Sequence, residues 1–244
     1  MSIQAMNVEQ LLTLDPKSIT RRLSGEEIVH IAKSLAAFWS YDYEAADNGR
    51  SGMHAILKSG RHSDGFFVSK ILLSHENIAH LMAQQIIDVL MGHGACWADY
   101  VIGIPDGATI LGAHMAEILR VKVLHMHKVE GKVVLVDPVV EGASVLFVED
   151  VCTRGSAFTE AVIELHTKYP EALILPFYPV IINRGGLESI NVANEVYRVV
   201  PIADFRINDF EPEECPLCAR GSLAIKPKLS EANWEAITNS QKVR

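Results

Sequence analysis

The segment Val145-Leu-Phe-Val-Glu-Asp-Val-Cys-Thr-Arg-Gly-Ser-Ala157 carries the densest chemistry of the 244-residue chain. Four apolar residues lead into two adjacent carboxylates, Glu149 and Asp150, and then into Thr153, Arg154, Gly155, Ser156 and Ala157. A strand that runs into a short loop and then a helix aims successive N–H groups at one spot, which suits a phosphate. Thr153 and Ser156 add hydroxyl donors, and Gly155 lets the backbone approach closely. Carboxylates repel a phosphate, so Glu149 and Asp150 are expected to face ribose hydroxyls, a metal ion's water shell or a developing positive charge. The acid pair alone is an ordinary strand end before a helix cap; the whole string is what points to a phosphate site.

Other chemistry-bearing groups are scattered. Leu57-Lys58-Ser59-Gly60-Arg61-His62-Ser63-Asp64-Gly65-Phe66-Phe67 reads alone as a polar turn before a strand. Ile102 to Ala108 is an apolar run broken by Pro105-Asp106-Gly107, and His127-Lys128-Val129-Glu130-Gly131-Lys132 opens a long polar loop. For each of these lysines taken singly, solvated surface is the ordinary role. Cys215 and Cys218 form a C-x-x-C pair, but a structural zinc site usually takes two such pairs, and Cys96 and Cys152 stand apart. No protein-held metal is therefore expected. The 10 histidines show no H-x-x-x-H pair on a convincing helix. The absence of G-x-S-x-G and of G-x-x-x-x-G-K-[ST] removes the simplest hydrolase and P-loop readings.

The elements that must position these groups follow an α/β rhythm. Ser24 and Glu27 make a capping box, and apolar residues from Ile28 to Trp39 follow at helical spacing. Residues 41–53 read as a connection, and 66–68 as a short strand. Ser74 is expected to cap a helix running past Leu90, followed by a strand 100–104, a helix to about 119 and a strand 121–126. Residues 127–143 read as a long loop, with room for a β-ribbon. A buried strand 145–148, a helix 157–166 and an apolar run 172–182, broken by Pro176 and Pro179, complete the alternation. Such alternation implies a mainly parallel twisted sheet flanked by helices, with ligands beyond the carboxyl ends of the strands.

Composition bounds the rest. Hydrophobic residues make up 49% of the chain, enough for a sizeable core. Lys and Arg number 22 against 30 Asp and Glu, a net charge of −8, so binding to a nucleic-acid backbone is disfavoured. No apolar run approaches the length of a membrane span, and the first residues have neither the basic leader nor the apolar stretch of a secretory signal. With only 4 cysteines, a cytoplasmic setting is expected.

The string from Val145 to Ala157 resembles the phosphoribosyl-diphosphate signature of the type I phosphoribosyltransferases: four apolar residues, two acids, then V-x-T-x-G-x-A. The stretch Leu57 to Phe67 resembles the L-x-S-G-x-x-S-x-x-F-F of the orotate phosphoribosyltransferases, and the likeness extends over about residues 50–228. Asn183-Arg184-Gly185-Gly186 is similar to the family's D-R-x-x-G-G, and Pro212 to Pro227 to the C-terminal tail of one bacterial branch. The resemblance implies transfer of ribose 5-phosphate from phosphoribosyl diphosphate to orotate, with magnesium bound through the donor's pyrophosphate and ribose hydroxyls. It assigns Asp150, Glu149 and Lys128 to catalysis, and Lys58, Lys132 and the loop Thr153, Arg154, Gly155, Ser156 and Ala157 to the donor. Phe66, Phe67, Thr153 and Arg184 fall to the acceptor, the guanidinium fork suiting a carboxylate. Four positions differ from the family's pattern: Asp106 in the pyrophosphate loop, His127 before Lys128, Arg154 in the phosphate loop and Asn183 before Arg184. A homodimer is implied, with no nucleic acid or membrane partner. The expected organisation is an N-terminal helical segment 1–50 contributing to a small cap, a core 51–206 and a tail 207–244 bearing Cys-Pro-Leu-Cys. The alternatives are a phosphoribosyltransferase for another base and a non-catalytic sensor of the donor.

Overall fold

In a computed structural model that describes residues 2–94 and 97–242, the chain divides into two compact units. The larger comprises Met1–Ile31 and Ser69–Arg206, the smaller Ala32–Val68 and Ile207–Arg244. The chain passes between the two units after Ile31, after Val68 and after Arg206. Cys96, one of the two isolated cysteines, lies outside the described residues.

The larger unit is built on a seven-stranded sheet. Its order is Ser189–Val192, Glu195–Asp204, Phe177–Asn183, Ser144–Cys152, Tyr100–Gly103, Lys122–Leu124, and the short strand Leu173–Ile174 also pairs with Ser144–Cys152. Every pairing is parallel except that of Ser189–Val192 with Glu195–Asp204. The central strand is apolar from Val145 to Val148 because both of its faces are covered. Beside it an aromatic group closes the core: the Phe158 ring lies 4.1 Å from that of Tyr178 and 5.1 Å from that of Tyr197. Helices Glu76–Gly92, Thr109–Leu119 and Ser156–Lys168 flank the sheet.

The N-terminal residues belong to this unit rather than to a cap, because amide side chains of the long helix bind their free carbonyls. Asn77 Nδ2 donates to the carbonyls of Leu11 and Leu14, Gln84 Nε2 to that of Ile19, and Gln85 Nε2 to that of Arg21. Gln85 Oε1 in turn accepts from Leu23 N at 2.6 Å. The capping box forms as expected: Ser24 Oγ accepts from Glu27 N, and Glu27 Oε2 from Ser24 N. The helix it starts ends at Ser34, not at Trp39, because Ala36 turns left-handed (φ 53°) and sends Phe38–Ser40 into a strand. Ser74 does not cap the next long helix; its hydroxyl donates to the Ile71 carbonyl, and His75 takes the cap position.

The expected long loop 127–143 is largely a hairpin. Met126–Val129 and Lys132–Leu135 pair antiparallel around Glu130 and Gly131, both at positive φ. Its second strand buries Val133 and Leu135, and the helix Ser156–Lys168 holds it. Glu164 Oε1 accepts from Leu135 N at 2.9 Å, and Lys168 Nζ donates to the Leu135 carbonyl at 2.9 Å.

The smaller unit has a four-stranded sheet in the order Asp209–Phe210, His62–Ser63, Met53–Ile56, Leu223–Ile225, and a two-stranded pair of Phe38–Ser40 with Gly65–Phe67. Trp39, Tyr41, Ala55, Cys215, Leu217 and Ile237 form its core. Residues 41–53 are more than a connection, since Asp42 caps a short helix, Tyr43–Asp47. Buried Asp64 ties the Leu57–Phe67 segment to the start of the tail: its carboxylate accepts from Tyr43 Oη, Asn208 N and Asn208 Nδ2 at 2.7–2.8 Å.

Candidate active site

Three loops of the larger unit leave the carboxyl ends of adjacent strands: 104–108, 153–155 and 184–186. Parallel register sets them side by side, with Gly103 opposite Val148 and Asn183 opposite Cys152. This is the end of the sheet where parallel α/β folds bind ligands.

The middle loop is the phosphate candidate. Gly155 is the N-cap of the helix Ser156–Lys168, at φ 69°, and no side chain caps that helix. The leading N–H groups of an α-helix have no intrahelical acceptor. Those of Ser156, Ala157 and Phe158 are thus left for an anion, with the helix dipole adding to their pull. Gly155 is required twice over, by its positive φ and because a Cβ there would stand 1.9 Å from Ile190 Cδ1. Arg154 is exposed on the loop and Ser156 exposed at its helical end, while Thr153 and Ala157 are half-buried.

The two acids differ in setting. Glu149 receives the hydroxyl of Tyr178, a fully buried residue of the neighbouring strand. Burial pushes its carboxyl up to about 8, with a further push from the negative charge of Asp150 and an opposing pull from Lys128. At neutral pH it therefore holds its proton and offers both a donor and an acceptor. Asp150 is half-buried and adjoins the loop 104–108, where Gly107 lies against it. Burial also raises the Cys152 thiol, to about 12, so it is no nucleophile.

Lys128 stands on the exposed outer strand of the hairpin, its Nζ 3.9 Å from Asp106 Oδ2. The acid that departs from the family's pattern thus faces this lysine. Lys132 is exposed at the hairpin tip. Asn183, another of the four departures, uses both ends of its amide: Nδ2 donates to the Leu187 carbonyl and Oδ1 accepts from Leu187 N. A carboxylate could not make the first bond. Arg184, half-buried, follows it, with its backbone N–H bonded to the Cys152 carbonyl at 2.8 Å. The structure thus joins Glu149, Asp150, Thr153 to Ala157 and Arg184 along one end of one sheet, with Lys128 of the separate hairpin facing Asp106 of the loop 104–108. Tyr178 and Gly107 were not read as site residues from the sequence. Tyr178 is hidden in an apolar run, and the contact of Gly107 with Asp150 is tertiary.

The smaller unit carries the remaining candidates. Lys58 and Ser59 are exposed on the turn between Met53–Ile56 and His62–Ser63, which the Leu57 N to Arg61 O bond closes at 2.8 Å. Phe66 packs beside Trp234, with ring centroids 6.0 Å apart and Lys228 Nζ 5.6 Å from its ring, and Phe67 lies against Phe38.

No protein-family model matches the chain. It is 29% identical over 188 residues to the orotate phosphoribosyltransferase of a Nitratiruptor species, covering 71% of this chain and 90% of that one. With the orotate phosphoribosyltransferase of Wolinella succinogenes it shares 27% over 185 residues, 71% of this chain and 88% of that one. Among solved structures, orotate phosphoribosyltransferase from Aeropyrum pernix aligns with a TM-score of 0.52 at 19% identity, over 72% of this chain and 93% of that one. Leishmania donovani UMP synthase aligns with a TM-score of 0.57 at 15% identity, over 91% of this chain but only 44% of that longer protein. The parallel sheet with its phosphate loop after the central strand is the fold of the type I phosphoribosyltransferases. Within that class, the chain is similar to orotate phosphoribosyltransferases over most of their length.

Proposed function

We propose that the protein is an enzyme that transfers ribose 5-phosphate from phosphoribosyl diphosphate to orotate, giving orotidine 5′-phosphate and pyrophosphate, a step of pyrimidine nucleotide biosynthesis. The observation that carries this reading is the uncapped helix start at Gly155, set directly after the acid pair on the central strand. The loop Thr153 to Ala157 binds the 5′-phosphate through its N–H groups and hydroxyls. Asp150 and Glu149 hold the ribose hydroxyls, the protonated Glu149 donating as well as accepting.

As the bond from C1′ to the pyrophosphate oxygen breaks, positive charge grows on the sugar and negative charge on the leaving group. Catalysis then requires charges already in place for that distribution rather than a protein nucleophile. Asp150 favours the electron-poor sugar, and Lys128, with Lys132 beyond it, meets the leaving pyrophosphate. By motif, Lys58 is assigned to the donor, Arg184 to the orotate carboxylate, and Phe66 and Phe67 to the pyrimidine ring. The ring nitrogen of deprotonated orotate supplies the electron pair, so no strong base is required.

Magnesium fits this arrangement. Asp106, on the loop 104–108, and Asp150, on the central strand against Gly107 of that loop, offer carboxylate oxygens, and magnesium combines one or two carboxylates with substrate phosphates. When bound it supplies charge neutralisation at the pyrophosphate. No helix among the described residues is long and apolar enough to cross a membrane. A cytoplasmic setting belongs to this reading through the chemistry of its substrates. A homodimer accompanies it, supported by Val129, Val136 and Val140, large apolar side chains left exposed on the hairpin and the residues after it.

An initial-rate screen of orotate, uracil, adenine, guanine, hypoxanthine and xanthine, each with phosphoribosyl diphosphate and magnesium, tests the assignment. Product with orotate is expected. Turnover of a purine alone would reassign the acceptor, and donor binding by calorimetry without turnover of any base would make the protein a sensor.

A further inference from the structure

The C-x-x-C of the tail finds its missing partners on two strands far away in sequence. We propose that His54, His62, Cys215 and Cys218 form a four-ligand structural zinc site within the smaller unit.

The four ligand atoms lie within 4.8 Å of one another. His54 Nε2 is 3.0 Å from His62 Nδ1, 3.6 Å from Cys215 Sγ and 3.5 Å from Cys218 Sγ, and Cys218 Sγ is 3.4 Å from His62 Nδ1. Nitrogen and sulfur ligands at their usual distances from a tetrahedral zinc stand roughly 3.4 Å (N to N) and 3.6 Å (N to S) apart. The side chains are thus spaced around one point as a single ion would space them. Two thiolates and two imidazoles also select the metal, since soft sulfur and nitrogen ligands in a tetrahedron favour zinc over the hard cations.

Local structure explains the convergence. His62 pairs across the hairpin with Ile56, and His54 lies two residues before Ile56, so both imidazoles leave the same face of the sheet. Cys215 precedes the short helix Pro216–Ala219, whose single turn returns Cys218 to the same side. That turn is closed by Gly221 N donating to the Cys218 carbonyl and Ser222 N to that of Leu217. Ser222 then serves His54. Its Oγ lies 2.9 Å from His54 Nδ1 and 3.3 Å from the Gly52 carbonyl. With Ser222 donating to Gly52, His54 Nδ1–H donates to Ser222, which fixes the tautomer and turns the Nε2 lone pair toward the cysteines. Such an outer partner is the usual companion of a metal-binding histidine. His54 is fully buried and Cys215 is 4% exposed, so water has little access to this side of the cluster. An ion here would bind the tail to both strands flanking the Lys58 turn.

The test uses the full chain purified from zinc-supplemented medium and dialysed against metal-free buffer. Elemental analysis is expected to find about one zinc per chain, falling at least ~10-fold in the Cys215→Ser/Cys218→Ser variant. Wild-type chain stripped with a chelator and titrated with cobalt(II) is expected to give the intense visible bands of tetrahedral cobalt and a thiolate-to-cobalt charge-transfer band. The cobalt readout needs no variant, so it holds even where the double variant fails to fold. Wild-type protein that keeps no zinc and gives octahedral cobalt spectra overturns the proposal, as does zinc content unchanged by loss of both cysteines. None of these readouts depends on the transfer reaction.

Discussion

Gly107 lies flush against the carboxyl group of Asp150: a Cβ built on it would stand 2.1 Å from Oδ2 and 2.5 Å from Cγ. The loop after one strand thus sets the position of the acid at the end of the next. Gly107→Ala is expected to push the Asp150 carboxyl from its place and lower kcat/KM at least about tenfold, or 1.4 kcal/mol of barrier. An unchanged far-ultraviolet circular dichroism spectrum would show that the fold is retained.

Asp150→Asn keeps the shape and removes the charge. Loss of one preorganised contact to a developing charge typically costs ~3–4 kcal/mol. Turnover is expected to fall by at least about tenfold, read from initial rates at saturating donor. Near-wild-type turnover would remove Asp150 from the mechanism.

Lys128 faces Asp106 at 3.9 Å on an exposed strand, and a solvated pair of this kind adds little to stability. Lys128→Ala should therefore leave the melting temperature almost unmoved while lowering kcat by about 10²-fold, the usual effect of losing one charge-stabilising group. Its positive charge also pulls the Glu149 carboxyl downward, so the same variant is expected to raise the carboxyl titration of Glu149, followed by carbon-detected NMR.

Glu149, held near 8 by burial, links stability to pH in a definite direction. Below the ordinary carboxyl value both folded and unfolded chains carry the proton. Between that value and about 8 the folded chain keeps it and the unfolded chain loses it, so stability declines as pH rises and levels off above the folded value. Urea unfolding at about pH 5 and about pH 8 should show wild type losing on the order of 2–4 kcal/mol more than Glu149→Gln. Equal losses in the two proteins would place the proton elsewhere.

At Gly155 the left-handed backbone and the nearness of Ile190 Cδ1 act together. Gly155→Ala is expected to destabilise the fold by about 1–3 kcal/mol. On the proposed reading, in which the loop binds a part of the donor remote from the breaking bond, the donor's KM should rise severalfold with a smaller change in kcat.

The central strand and the loop that leads from it into a helix were legible because a fully apolar strand, two acids and a hydroxyl-glycine turn lie consecutively, so local order alone reveals them. The capping box at Ser24 and Glu27 was legible for the same reason. What escaped depends on register or tertiary contact. Glu195–Asp204 carries exposed charges along its length and does not announce itself as a strand beside the core. The helix stop at Ala36 has no glycine or proline to mark it. The N-terminal residues gave no hint that Asn77, Gln84 and Gln85 would bind their carbonyls. His54 and His62 fit no ligand spacing along one helix, because they meet only when two strands pair.

The helix Ser156–Lys168 does two jobs at once. Its start faces the phosphate loop, and Glu164 and Lys168 near its end grip both backbone groups of Leu135. The root of the hairpin and the loop proposed to anchor the donor's phosphate are therefore fixed to one helix. In the proposed reaction, Lys128 would therefore meet the leaving pyrophosphate from a ribbon rooted on the same helix that begins at Gly155.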